Sequence, residues 1–262
     1  MIRNTTVTVC GPLNVNKLGV TYVHEHLMVK PQLPDEYYIP YTLDDEAAST
    51  EETRSFSAAG GETLVEMTPI NYGRNVKAYQ RIAQATGVHV ICCTGFHKQL
   101  FMPPWFGDKT DGELYDILMD EVTNGLDDTE IHPGVIKLGT SFEEVTAAEK
   151  RSIEAVARVH RDTGIPISTH CDKGTMGMDQ LRLLEKHGVD PKNVLLCHID
   201  SKMDTALPRG CYHLPGPCWP RTAESRFLSR ADGHGAGGGR LRRPRDPGRR
   251  YGKEELSACL RR

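Results

Sequence analysis

From residue 20 to about residue 200, apolar positions recur in one repeated order. A short run rich in Val, Ile and Thr gives way to a polar loop, then to a stretch with apolar residues three and four apart that ends at Gly. The runs at 20–27, 62–68, 89–94, 134–138, 165–169 and 193–198 have the length and β-branched content of strands buried on both faces. Four helices are predicted between them. Residues 74–86 place Val76, Tyr79, Ile82 and Ala83 on one face before Gly87, and residues 113–124 carry Leu114, Ile117, Leu118 and Val122 after a candidate cap at Asp111. Residues 147–163 open on Thr146 with Glu149 at the capping-box spacing, align Ile153, Val156 and His160, and stop at Gly164. Residues 178–187 stop at Gly188. Strands alternating with helices imply βαβ units and a parallel sheet. A doubly wound sheet and a (β/α)8 TIM barrel both accommodate six such units, and the placement of the histidines below favours the barrel.

The pattern breaks near residue 204. Residues 205–262 contain no Val and no Ile, and they hold 12 of the 20 Arg but only one Lys, Lys253. Their 13 Lys and Arg against 5 Asp and Glu give +8, although the whole chain carries −3. We expect a barrel domain over 1–204 and an atypical Arg/Gly/Pro-rich, poorly ordered segment over 205–262. Three readings of that segment stand: a nucleic-acid-binding arm, a solvated extension, or the product of a shifted reading frame. The abrupt switch, midway through an architecture that still needs strands, favours the frameshift. Barrel strands seven and eight are then absent or disrupted, and an unclosed sheet exposes its edges. The first residues lack the apolar core of a signal peptide, and no apolar run approaches the roughly 20 residues of a membrane span. A cytoplasmic protein with no membrane contact is the expectation. Eight scattered cysteines without a C-x-x-C pair fit reduced, buried thiols better than a disulfide framework.

Candidate chemistry lies at strand ends. His24 and His26 stand two apart on the first strand, so both imidazoles point to one face. His170 and His198 close the runs 165–169 and 193–198, where barrel enzymes keep their reactive groups. Alone, each is an ordinary structural histidine; together they suit a zinc-type cation. Lys137 sits inside an apolar strand, Val135-Ile136-Lys137-Leu138. Either it snorkels to solvent, or burial leaves its amine neutral enough to take up carbon dioxide as an anionic, bidentate carbamate.

His24-Glu25-His26, Lys137 followed by Gly139-Thr140-Ser141, Ser168-Thr169-His170, Gly174-Thr175-Met176-Gly177 and His198-Ile199-Asp200 occur in one order over roughly residues 15–204. This set resembles the phosphotriesterase family of the amidohydrolase superfamily. The resemblance implies a (β/α)8 barrel with two divalent metal ions, Zn2+ foremost. It implies His24 and His26 on the buried metal, Lys137 as a bridging N6-carboxylysine, and His170 and His198 on the outer metal. It also implies attack by a bridging hydroxide on an ester, a lactone or a phosphotriester. We lean towards a small lactone or similar ester with an anionic or polar tail, bound near Lys98, Lys173 and Lys202, although each of these also reads as a solvated surface lysine. The family often places Tyr after the third strand. Here His97 stands in that place, either as a polar contact to substrate or bridging water or as a loop histidine. An aspartate ending the eighth strand is implied too, and no residue of 205–262 fits; Asp232 has no apolar strand before it. Little or no activity is therefore expected. A catalytically dead pseudoenzyme, a mononuclear deaminase of the same superfamily and a nucleic-acid binder remain alternatives. A homodimer is compatible with all of them.

Overall fold

The computed structural model describes residues 5–33 and 42–201. An antiparallel hairpin, β1 (Thr5–Thr8) and β2 (Gly11–Asn14), precedes the repeated units. These run β3 (Thr21–Glu25), α1 (Glu46–Ala58), β4 (Thr63–Glu66), α2 (Val76–Thr86), β5 (His89–Gly95), α3 (Asp111–Asn124), β6 (Val135–Thr140), α4 (Ala147–Thr163), β7 (Ile167–Cys171), α5 (Gly177–Lys186) and β8 (Val194–Cys197). The six strands β3 to β8 pair in sequence order, each parallel to the next. Each predicted strand and helix is present, with ends shifted by a residue or two. The segment 205–262, with Lys202 and Asp232, lies outside the described residues.

The sheet is strongly curved. Strands lie about 4.8 Å apart, so a flat sheet would separate its first and sixth strands by roughly 24 Å. Yet the rings of His24 on β3 and His198 just after β8 stand 4.6 Å apart between centroids. The sheet therefore wraps into a nearly closed barrel.

Two packing layers hold it. On the outside, α2 lays Val76, Tyr79, Ile82 and Ala83 on Leu64, Val90 and Cys92, and α3, α4 and α5 cover Ile136, Leu138, Ile167 and Val194. Truncating Ile153 on α4, which is wholly buried, to Ala would cost about 2–5 kcal/mol. On the inside, Val65, Met67, Ile91, Cys93 and Val135 pack against Leu13 of the hairpin and Val15 and Leu18 just after it. The barrel mouth is left to polar groups.

Two details of the sequence reading change. The N-cap of α3 is Thr110, not Asp111: its hydroxyl accepts the Glu113 N–H while the Glu113 carboxylate accepts its own N–H. Residues 46–58 form a helix that the apolar pattern did not announce, because α1 buries only Thr53. Of the described cysteines all are free thiols, and four are buried as expected, whereas Cys10 is exposed.

Candidate functional site

The barrel mouth is built by strand ends. Strand β3 contains an irregularity: Tyr22 pairs with Leu64 but Glu25 pairs with Glu66, so three steps on one strand match two on the next. Such a bulge re-aims side chains. Tyr22 accordingly turns outward onto Phe56 of α1, 4.7 Å between centroids, whereas His24 turns inward. His198 follows β8 with φ 65°, a left-handed conformation that a non-glycine residue adopts at a cost. That turn brings its ring over the mouth.

The five residues expected there converge. His24 and His26 rings lie 5.4 Å apart, His170 and His198 4.8 Å, and His97 and His170 4.6 Å. Lys137 enters from β6, is wholly buried, and places Nζ 3.0 Å from His24 Nε2. It is held against β5 at Gly95, whose φ is 112° and where a Cβ would meet the Lys137 carbonyl oxygen at 2.0 Å. Only glycine permits that approach.

Burial sets the charge of the cluster. It lowers the Lys137 amine to about 8. Burial first, and then the neighbouring Lys137, lower His26 to about 3 and His170 to about 2. The same two causes lower His198 and hold His24 well below the usual imidazole range, while burial and the nearby His170 do so for His97. Five neutral imidazoles thus surround one amine.

Proton positions follow from the partners. The Lys98 backbone N–H donates to His97 Nδ1 at 2.7 Å, so the neutral ring carries its proton on Nε2 and acts as a donor there. His24 Nδ1 and His170 Nε2 are buried and have no hydrogen-bond partner. Unsatisfied buried nitrogens are costly and call for an explanation.

Those orphans bear on whether a metal ion fits. Two imidazoles sharing one zinc at about 2.1 Å place their ring centres roughly 5 Å apart. The His24–His26 and His170–His198 spacings match that value. Among the described residues no three His, Cys, Asp or Glu side chains already surround one point as closely as a bound ion would draw them. The donor set, neutral imidazoles of which two ring nitrogens lack a partner, nevertheless fits a soft-to-borderline cation.

Three further residues belong to the site that the sequence reading passed over. Glu66 and Thr68, both wholly buried, stand behind His26: Thr68 Oγ1 lies 2.8 Å from His26 Nδ1 and 2.6 Å from Glu66 Oε1. Burial raises Glu66 to about 7, against hydrogen bonds from Thr68, Leu27 and Tyr79 that lower it. A signal was present, since Glu66 sits in an apolar strand just as Lys137 does. Tyr72 stacks at 4.7 Å on His97 and 5.7 Å from His26, on a loop that sequence periodicity does not locate.

Of the two described candidate lysines, Lys98 is half-buried beside the imidazoles, its partner Asp172 lying 3.9 Å from His170 Nε2. Lys98 pairs with Asp172 at 2.6 Å, so its charge is already balanced. Lys173 is exposed and lies over the Phe142 ring at 4.7 Å. Among the described residues no helix is long and apolar enough to cross a membrane.

Known proteins resemble this chain in sequence and fold. The sequence model described as the phosphotriesterase family matches residues 4–208. A phosphotriesterase homology protein of Escherichia coli is 34% identical over 191 residues, covering 72% of this chain and 65% of that protein. A phospho-furanose lactonase of Mycoplasmopsis synoviae is 30% identical over 213 residues, covering 75% and 60%. The crystal structure of a lactonase from Listeria monocytogenes superimposes with a TM-score of 0.73 at 30% identity, covering 76% of this chain and 67% of that one. The chain spans less than two thirds of the length of these curated relatives.

Proposed function

Because the chain belongs to the phosphotriesterase family, we propose that His24, His26, Lys137, His170 and His198 form a two-cation centre for hydrolysing a lactone or similar ester. The observation that carries this reading is the wholly buried Lys137 amine, 3.0 Å from His24 Nε2 and ringed by neutral imidazoles. An ammonium there cannot ligate a cation. An amine lowered to about 8 can attack carbon dioxide, form a C–N bond and release one proton, giving a carbamate with two oxygens to share.

His24 and His26 would hold one divalent ion, Zn2+ being the best match to imidazole donors, and His170 and His198 the other, with carboxylated Lys137 between. Such a pair supplies an ionised water near neutral pH and polarises the substrate oxygen. The chain's own residues do the rest. His97 offers an Nε2–H at the mouth and orients substrate or water as a tyrosine hydroxyl would. Phe101 and Tyr72 pack around His97 and exclude bulk solvent from that side. No residue of 205–262 matches in sequence the eighth-strand aspartate that the family resemblance implies, so slow turnover is expected.

The name of the Mycoplasmopsis synoviae relative supports a lactone bearing an anionic group. Lys98 and Lys173 are the described cations nearest the mouth, and an anionic tail would compete with Asp172 for Lys98. The test is hydrolysis of phosphorylated and unphosphorylated γ-lactones by the zinc-loaded chain. Slow turnover that vanishes with a chelator and in Lys137→Ala supports the proposal. Equal rates with and without zinc contradict it.

A further inference from the structure

Glu66 lies in the layer between the sheet and α2, away from the mouth, yet it is linked to it by two hydrogen bonds. Its Oε1 accepts from the Leu27 N–H at 3.2 Å, its Oε2 accepts from the Thr68 N–H at 3.0 Å, and the Thr68 hydroxyl lies 2.6 Å from Oε1. Backbone N–H groups only donate. Two of them are directed at the two oxygens, so the pocket is built for an acceptor, a carboxylate.

A proton count then runs outward from Glu66. The Thr68 hydroxyl has one hydrogen, and besides the Tyr79 phenol its neighbours are Glu66 Oε1 at 2.6 Å, His26 Nδ1 at 2.8 Å and the Met28 carbonyl at 3.1 Å. Above pH 7, where Glu66 is ionised, its carboxylate accepts only, and so does the carbonyl. Whichever of them takes the hydroxyl hydrogen, none is left for His26 Nδ1. The 2.8 Å contact must therefore be His26 Nδ1–H donating to Thr68 Oγ1. A neutral imidazole with its proton on Nδ1 carries its lone pair on Nε2.

We propose that Glu66 is a positioning residue which, through Thr68, fixes the proton of His26 on Nδ1 and so presents the Nε2 lone pair to the barrel mouth. The proposal rests on the cation-binding reading for its purpose but not for its test. With Glu66 replaced by a side chain that donates to Thr68, the chain of hydrogen bonds reverses. The Thr68 hydroxyl then donates to Nδ1, and Nε2 carries the hydrogen and cannot ligate. Second-layer partners that orient a histidine in this way typically change metal affinity by about 10- to 100-fold when removed.

The experiment uses the whole 262-residue chain, free of metal, with 15N-labelled histidine and above about pH 8, where Glu66 is ionised. Long-range proton–nitrogen correlation reads the tautomer of His26, assigned by its loss in His26→Asn. The wild-type ring is expected to carry its proton on Nδ1, Thr68→Ser to keep it there, and Thr68→Val and Glu66→Gln to show the Nε2–H form. A wild-type ring already in the Nε2–H form would overturn the proposal without any variant. So would Thr68→Val and Glu66→Gln spectra unchanged from wild type. If Thr68→Val fails to fold, the wild-type and Thr68→Ser spectra still decide. Zinc titration of the same samples should show a 10- to 100-fold weaker affinity in Glu66→Gln. Absence of zinc binding by wild type would count against the two-cation centre alone and leave the tautomer result standing.

Discussion

Two buried polar clusters lie in this protein, and they differ in one respect. Around Arg74 every donor is used. Its guanidinium, 4% exposed, bonds Asp127 through Nε at 3.0 Å, Glu121 through Nη1 and Nη2 at 3.1 and 2.5 Å, and the Cys93 carbonyl at 3.3 Å. Thr94 adds a bond to Glu121. The two carboxylates raise the Arg74 pKa despite its burial. At the barrel mouth the opposite holds: five neutral imidazoles and an amine are packed together, and two ring nitrogens have no partner. A saturated cluster fastens α3 and the loop around Asp127 to the sheet. In the proposed centre, the unsaturated one supplies the donors for a ligand. Burial of polar groups alone is thus a poor marker of function.

Acid should separate the two clusters most strongly. His26 and His170 have folded pKa values near 3 and 2, below 6.5. The unfolded chain therefore takes up their protons first, and stability falls as pH drops from about 6.5 towards 3. Glu66 acts oppositely, since its folded value near 7 lies above 4.5 and it adds stability as pH falls through that range. The histidines outnumber it. Metal-free protein brought from pH 7.5 to 4 should lose on the order of 5 kcal/mol. Denaturant unfolding at a series of pH values measures this, and a flat profile would refute the neutral-imidazole picture.

Next in size is the saturated cluster. Arg74→Met leaves Glu121 and Asp127 without their cation and should cost about 3 kcal/mol, the lower end for a broken buried pair because Asp127 is partly exposed. A chemical denaturation midpoint checks it. Zinc gives a similar magnitude of opposite sign. At one hundred times the dissociation constant it should stabilise the chain by about 2.7 kcal/mol. That corresponds to a rise in Tm of roughly 5–10 °C for a chain of this size, reversed by a chelator. The smallest effect is His170→Asn in the metal-free chain. Because His170 Nε2 has no hydrogen-bond partner to lose, Asp172 Oδ1 lying 3.9 Å away, stability should change by less than about 1 kcal/mol, while the zinc-induced rise in Tm shrinks. A large loss without metal would mean that the histidine is structural.

Much of this was legible in the chain itself. The fold declared itself through period and punctuation: Val76, Tyr79, Ile82 and Ala83 mark the buried face of α2, and Gly87 and Gly164 adopt the left-handed helix stops. The four strand-end histidines and Lys137 were readable because residues of that type are out of place in apolar strands. Other features were not. The bulge in β3, which sends Tyr22 out and His24 in, depends on pairing with β4 and leaves no mark in a hydropathy pattern. The N-cap of α3 fell one residue from the expected Asp because Thr110 and Asp111 are both competent caps. Glu66 was missed although the argument applied to Lys137 applies to it equally. The role of Thr68 emerges only from distances, since one hydroxyl hydrogen must be assigned among its neighbours.

The central claim is that the mouth holds a pair of cations with Lys137 between them. Elemental analysis of the chain loaded with zinc in the presence of bicarbonate tests it most directly. Two equivalents per chain, lost in Lys137→Ala, are predicted. One equivalent that survives Lys137→Ala, or none at all, would contradict it.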